Sequence, residues 1–175
     1  CQASEAELAR CNCAGQLTVS AETAALVQTA LDLSDKTGGA YDPTLYTLSL
    51  AWGFSGGAYR VPDAEELRSL LAVTGASRVS VNGCRVTLQP GTQLDLGGIA
   101  KGYAAGQLRK LFTEAGVRSA IVSLGGNIAA VGTKPDGSDW QVGLQDPENA
   151  DTYFGILSVR DACVVTSGGY QRYFE

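Results

Sequence analysis

The sequence contains no histidine. That absence takes imidazole bases, Ser-His triads and most zinc sites out of consideration. Carboxylates, Lys, Tyr, Ser and Thr hydroxyls, main-chain groups or a hard metal ion must carry whatever chemistry the chain performs. No apolar stretch approaches the roughly 20 residues that a membrane-spanning helix needs, and no secretory-signal pattern is present. Concentrated basic charge is missing too. The 13 Lys and Arg are scattered and the net charge is −5, so there is no stripe of cations to grip a phosphate backbone, and nucleic acid is not expected as a partner. The strings GxGxxG and GxxxxGK occur nowhere, which removes a Rossmann fingerprint and a Walker A loop.

Cysteine is sparse and irregular. Cys1, Cys11, Cys13, Cys84 and Cys163 make an odd set. Cys11 and Cys13 enclose a single residue, which matches neither a CxxC redox pair nor a zinc knuckle. Cys84 and Cys163 are expected as buried, small apolar residues.

What is present is a globular composition. Hydrophobic residues make up 45% and charged residues 18% of 175, which suits one domain with a sizeable core and argues against disorder. Residues 20–36 predict a helix: Ser20 is a candidate N-cap, Leu26, Ala30 and Leu33 recur at helical spacing, and Gly38-Gly39 ends the run. Residues 39–54 hold aromatics and turn formers, Asp42-Pro43 among them, and predict an ordered loop with a short helical piece. Pro62-Asp63 opens another helix, with Glu66 completing a capping-box pattern and Leu67, Leu70 and Leu71 on the apolar face. Residues 79–81 and 85–88 alternate around Asn82-Gly83, a two-residue hairpin turn. Residues 93–96 predict a further strand, broken by Gly97-Gly98. A helix follows over about 99–115, with Tyr103, Ala104, Leu108, Leu111, Phe112 and Ala115 along one face and Gly116 as its stop. Short strands are expected at 120–124, 128–131, 140–144, 154–159 and 163–166. Helices come mainly first and strands later, so the class is α+β.

The most informative stretch is Leu94-Asp95-Leu96-Gly97-Gly98-Ile99-Ala100-Lys101. A strand, a glycine pair and a helix start in that order put main-chain amides where the helix dipole favours an anion. Glycine also lets a ligand or metal approach the main chain closely. Lys101 falls at the start of the helix, where a cation is disfavoured by a few tenths to about 1 kcal/mol unless a phosphate or Asp95 offsets it. The same residues also read as a tight turn beside a solvated lysine, and spacing alone does not separate the two. In Gly38-Gly39-Ala40-Tyr41-Asp42-Pro43 an aromatic ring and a carboxylate share a glycine-bounded loop. That pair suits a flat ring and its hydrogen bonds, and an ordinary Asp-Pro turn fits as well. Ser123-Leu124-Gly125-Gly126-Asn127 and Thr166-Ser167-Gly168-Gly169-Tyr170 set glycine and small polar residues just past strands, where ligands meet a sheet or where a chain simply turns.

Taken in this order, the segments resemble the ApbE family of flavin transferases, the FAD:protein FMN transferases. The strings that carry the resemblance are GGAYDPTLYTL with WGF, LDLGGIAKGYAAG, SAIVSLGGNIAAVG, WQVGLQDP and VVTSGGYQRYFE, and they span most of the chain from Leu8 to Glu175. The segment from Glu5 to Asn12 is similar to one that precedes these motifs in the family. The resemblance implies an α+β fold with a mixed, largely antiparallel sheet and packed helices. It implies one domain over 1–175, incomplete at the C-terminus and at the N-terminus. It further implies that Ala40, Tyr41, Asp42, Asp95 and Lys101 contact FAD, that Gly98 lends a main-chain carbonyl to Mg²⁺, and that Thr166, Ser167 and Tyr170 lie near the flavin.

The implied reaction is attack by a Ser or Thr hydroxyl of an acceptor flavoprotein on the FMN phosphorus of FAD, with AMP leaving. Phosphoryl transfer needs mainly positioning and electrostatics, so the lack of a nucleophilic side chain is no objection. A FAD-binding or FAD-hydrolysing relative, yielding FMN and AMP without an acceptor, shares the same motifs. A non-catalytic module whose glycines are only turns is the alternative of another class. Two departures stand out. The family's His-containing motif ending in DPxTG, which supplies further metal ligands and an acid or base, is absent from these residues, and no residue here is assigned a catalytic role. Gly106 also stands where the family usually has Asp. The chain alone is therefore expected to bind FAD weakly and to transfer little, and Cys1 is expected to mark a fragment boundary rather than a lipidated residue. From the family alone, the expected setting is periplasmic or extracytoplasmic, as a membrane-anchored lipoprotein in the full-length form.

Overall fold

A computed structural model describes residues 6–55, 59–149 and 151–168. The expectations placed on Cys1, Glu5, Gly169 and Tyr170 lie outside the described residues. The chain divides into two compact units, Cys1–Ile99 and Ala100–Glu175.

The first unit runs α1 (Glu7–Ala14), β1 (Gln16–Thr18), α2 (Ala21–Lys36), α3 (Tyr46–Ala51), α4 (Ala64–Leu71), β2 (Val79–Asn82) and β3 (Arg85–Leu88). Its strands form an antiparallel sheet in the order β1-β3-β2. Helix α2 begins where the cap residue predicts: Ser20 Oγ accepts from the Thr23 amide at 3.2 Å. The buried stripe is Ala24, Val27, Ala30 and Ser34, with Leu26 and Leu33 half-buried beside it. Helix α1 is tied to that cap through Glu7. Its carboxylate accepts from the Ser20 amide at 2.8 Å and from Thr23 Oγ1 at 2.5 Å. The hydrogen bond from Thr23, followed by that from Ser20, holds the Glu7 carboxyl below its ordinary pKa. Val27, Val86, Leu88, Leu94 and Leu96 close the core between α2 and the sheet, each side chain contributing about 1.5–3 kcal/mol relative to exposure.

Four local features differ from expectation. Asp63 caps α4 by accepting from the amides of Glu65 and Glu66 at 2.9 and 2.8 Å. The reciprocal half of the capping box does not form, because the Glu66 carboxylate binds the Arg60 guanidinium instead. A charge-assisted fork outcompetes a single bond to an amide. The hairpin register is one residue later than predicted: Asn82 pairs with Arg85, so Gly83-Cys84 make the turn. Gly83 has φ +56°, which is the first position of a type II′ turn. The shift leaves Cys84 half-buried in the turn. Cys163 is exposed and Cys11 is the buried thiol, contrary to the expectation of burial for Cys84 and Cys163. Residues 93–96 are not a strand. Gln93 makes a single parallel bridge to Leu45, and the main chain beyond it is satisfied by other groups. Asn12 Nδ2 donates to Leu94 O and Asn12 Oδ1 accepts from the Leu94 amide, both at 2.8 Å. The Asp95 amide donates to Pro43 O at 2.7 Å. Extended backbone needs partners but not a strand to supply them.

Helix α5 (Gly97–Glu114) starts two residues earlier than predicted, and the unit boundary falls inside it. Gly97-Gly98 therefore form its first turn rather than a break before it. In the second unit follow β4 (Ser119–Ser123), β5 (Asn127–Gly132), β6 (Trp140–Gln145), β7 (Tyr153–Val159) and β8 (Cys163–Val165), close to the predicted strand ranges. They form two antiparallel sheets, β4-β5-β8 and β6-β7. The inward face of α5 is Ala105, Leu108 and Phe112, packed on Val122, Leu124 and Ala129. Leu111 is 58% exposed, so the apolar face is rotated from the one predicted. Helices with antiparallel sheets make the class α+β, as expected. Among the described residues no helix is long and apolar enough to cross a membrane.

Candidate functional site

In the first unit, the glycine-bounded loop after α2 is built by the chain itself. The Ala40 amide donates to Thr37 O at 3.2 Å and the Tyr41 amide to Thr37 Oγ1 at 3.1 Å. Asp42 Oδ1 accepts from the Thr44 amide at 2.8 Å and from Thr44 Oγ1 at 2.6 Å, which is the Asx turn that Asp-Pro favours. Thr44 is fully buried, and its Oγ1 accepts in turn from the Gly75 amide at 2.7 Å. One Asp42 oxygen is thus committed to holding the loop.

The Tyr41 ring lies against Gly98. A Cβ at Gly98 would stand 2.9 Å from Tyr41 Cε2, so no side chain fits there without moving the ring. Tyr41 Oη is buried and has no hydrogen-bond partner among the described residues. Burial raises the Tyr41 pKa, and the charges of Asp95 and Asp42 raise it further. The hydroxyl therefore stays protonated at neutral pH and is a free donor. Buried polar groups are seldom left unpaired, and the exceptions mark strain, function or a bound group. Tyr41→Phe removes that orphan, and is expected to raise stability by about 1 kcal/mol. Urea unfolding reads the effect. A less stable variant would show that the hydroxyl has a partner after all.

Asp95 Oδ1 accepts from the Gly97 amide at 2.7 Å, and the Ile99 amide donates to Leu96 O at 3.0 Å. Two of the amides that open α5 therefore already have acceptors, and the start of the helix is less of an open anion cradle than the glycine pair predicts. A carboxylate in this place also suits the helix dipole. Beside it lies a largely apolar cavity of about 350 Å³, with Leu8, Ala9, Asn12, Tyr46, Leu94 and Asp95 in its lining.

Among the described residues no group of three or more His, Cys, Asp or Glu is placed to hold a metal ion. Among the described residues, the oxygen donors whose charge acts on Tyr41 are the Asp95 and Asp42 carboxylates, with the Gly98 main chain against the ring. That set suits a hard cation that keeps water and phosphate ligands, such as Mg²⁺, and does not suit a closed zinc or iron centre.

The second unit holds the other candidates. Lys101 Nζ donates to Gly125 O at 3.4 Å. Gly125-Gly126 join β4 to β5, and Thr166, just past β8, donates its amide to Gly126 O at 3.0 Å. Ser167 is exposed. Asn127 is 8% exposed.

The structure thus groups Tyr41, Asp42, Asp95 and Gly98 in one unit, with Ala40 at the exposed edge of the same loop. It groups Lys101 with Gly125, Gly126 and Thr166 in the other. Asn12 and Thr44 hold the segments of the first unit in place, and sequence reasoning did not single them out. A signal for Asn12 existed: with Leu8 and Cys11 it falls at the spacing of one helix face, and a polar residue among inward positions implies a bonded partner.

Residues 2–175 match the ApbE family. The chain is 37% identical over 168 residues to a FAD:protein FMN transferase of Treponema pallidum, covering 86% of this chain and 46% of that protein. It is also 37% identical over 163 residues to a FAD:protein FMN transferase of Klebsiella pneumoniae, covering 91% and 50%. Among solved structures, the ApbE protein of Thermotoga maritima aligns with a TM-score of 0.91 at 32% identity, over 98% of this chain and 58% of that one. The apo flavinyl transferase ApbE of Pseudomonas stutzeri aligns with a TM-score of 0.86 at 33% identity, over 99% and 55%. The chain spans about half the length of the curated relatives it matches.

Proposed function

The chain belongs to the ApbE family, and from that premise we propose that it binds FAD for transfer of FMN to a Ser or Thr hydroxyl of an acceptor flavoprotein, with release of AMP. The observation that best supports this reading is the Tyr41 hydroxyl. It is buried, unpaired among the described residues and kept protonated beside two carboxylates, which makes it a donor suited to a phosphate or flavin oxygen. Asp95 has a second carboxylate oxygen to accept from a ligand hydroxyl or ring N–H. Ala40 and Asp42 shape the loop that meets the nucleotide. Lys101 carries the positive charge for the diphosphate.

In the proposed step the acceptor oxygen bonds to the FMN phosphorus. The bond from that phosphorus to the bridging oxygen breaks, AMP leaves with that oxygen, and the hydroxyl proton is released. The Gly98 main chain and the Asp95 carboxylate would hold Mg²⁺, which would supply charge neutralisation for the leaving phosphate. The residues do what phosphoryl transfer mainly requires, which is positioning and electrostatic stabilisation. The setting proposed is extracytoplasmic, on family resemblance, and cell fractionation of the native protein tests it.

Thermal unfolding with FAD and Mg²⁺ tests the binding. A hundredfold excess over Kd is expected to add about 2.7 kcal/mol, or roughly 5–10 °C in Tm for a chain of this size. No shift at millimolar FAD would favour a non-catalytic module and sink the proposal. Intact mass of an acceptor protein, with AMP release measured with and without it, separates transfer from hydrolysis.

A further inference from the structure

Lys101 is the fifth residue of α5 and is exposed. Its long side chain nevertheless has a defined neighbour. The ammonium donates to Gly125 O at 3.4 Å, and a Cβ on Gly125 would stand 3.4 Å from Nζ. Gly125 and Gly126 have φ of +55° and +84°. Across them the Leu124 amide donates to Asn127 O at 2.8 Å and the Asn127 amide to Leu124 O at 3.4 Å. Two left-handed residues inside such a pair are a type I′ hairpin turn.

The turn is also gripped from outside. Thr166 donates to Gly126 O through its amide at 3.0 Å and through Oγ1 at 3.4 Å. A Cβ on Gly126 would meet Thr166 Oγ1 at 3.1 Å. Thr166 follows the last β5–β8 pair, Asn127 with Val165, so its position is set by the sheet. On the helix side, Asn127 Nδ2 lies 3.6 Å from where a Cβ on Gly102 would be, one residue past Lys101.

We propose that the Gly125-Gly126 turn is a seat for the Lys101 ammonium, and that Thr166 is the positioning residue that keeps the seat in place. The proposal rests on the reading of Lys101 as a contact of the FAD diphosphate. A lysine already steered by the fold loses less rotamer freedom when it captures an anion. The partner matters as much as the contact. A neutral carbonyl at the long end of hydrogen-bond range holds the ammonium loosely, and among the described residues no carboxylate pairs with it, so an arriving phosphate has none of these to displace.

Gly126→Ala in the 175-residue chain is the test, because the added methyl collides with Thr166 and strains a left-handed residue. Relaxation of ¹³Cε-labelled lysine is expected to show Lys101 more ordered than Lys36, Lys110 and Lys134 in the unchanged chain, and level with them in Gly126→Ala. FAD affinity is expected to fall about fivefold in Gly126→Ala, yet by less than twofold when the same change is made on Lys101→Ala. Thr166→Val is expected to act in the same direction by about twofold, with Thr166→Ser restoring affinity, and it carries the comparison should Gly126→Ala not fold. Lys101 as mobile as the other lysines in the unchanged chain, or an equal loss of affinity in both backgrounds, overturns the proposal. Failure of the unchanged chain to bind FAD overturns the functional reading instead, while the relaxation data still decide whether the seat exists.

Discussion

Asn12→Leu is expected to destabilise the chain by about 2–5 kcal/mol and to lower Tm by roughly 5–15 °C. Leu94 is 1% exposed, and its amide and carbonyl are both satisfied by the Asn12 side chain at 2.8 Å. Leucine is close in size but can neither donate nor accept, so two buried main-chain groups are orphaned, at about 1–3 kcal/mol each. That is a large share of the 5–15 kcal/mol a domain typically has. Asn12→Asp keeps the acceptor for the Leu94 amide and is expected to cost less. Chemical denaturation of the two variants checks the order. Equal stability of Asn12→Leu and the unchanged chain would mean that water replaces the amide and that residues 93–96 do not depend on α1. The consequence reaches the site, because Leu94 is joined to Asp95 and a slack main chain there moves the carboxylate.

Asp95→Ala is expected to weaken FAD binding by tenfold or more, equivalent to at least about 1.4 kcal/mol, and to lower stability by about 1 kcal/mol. The two losses have different origins. Stability is lost because the Gly97 amide loses the acceptor it has at 2.7 Å. Affinity is lost, on the proposed function, because the ligand loses a charged acceptor. Asp95→Asn separates them, since its carbonyl oxygen still caps Gly97 while the charge is gone. Thermal unfolding is expected to return close to that of the unchanged chain, with FAD titration remaining weak. If Asp95→Asn binds FAD as well as the unchanged chain, Asp95 is a cap and nothing more. The same variants report on Tyr41, whose pKa is raised by burial first and by Asp95 second. Removing the Asp95 charge is expected to bring the Tyr41 titration down toward its ordinary value, which absorbance at alkaline pH reads.

Local pattern carried much of the architecture. Ser20 and the periodic apolar residues after it place α2 within a residue of its observed start, because an N-cap and a helical stripe are local properties. The five later strands follow from short β-type runs between turn residues. The errors came where a partner distant in sequence decided the outcome. Asn82-Gly83 is the stronger turn signal taken alone, but pairing of β3 with both β1 and β2 sets the register so that Gly83-Cys84 turn instead. Glu66 left its capping box for Arg60, a partner before the helix. Residues 93–96 are not the strand predicted, because the bonds of Leu94 and Asp95 go to Asn12 and Pro43 rather than to a strand.

By itself the sequence determined the class of chemistry and where along the chain to look. It has no histidine, no basic stripe and no Walker A or dinucleotide string, and its glycine-rich motifs occur in the order that carries the resemblance to the ApbE family, which is what implies a flavin nucleotide. Residue identity and order are enough for that, since they limit which donors, acceptors and turns exist. The tertiary structure decided which of those groups are still free to act. It spends one Asp42 oxygen on Thr44 and one Asp95 oxygen on Gly97, leaves the Tyr41 hydroxyl buried without a partner among the described residues, and sets Lys101 on a glycine carbonyl. Whether a polar group is satisfied depends on neighbours far away in sequence, and only the folded chain brings those neighbours within the roughly 3 Å at which a hydrogen bond forms.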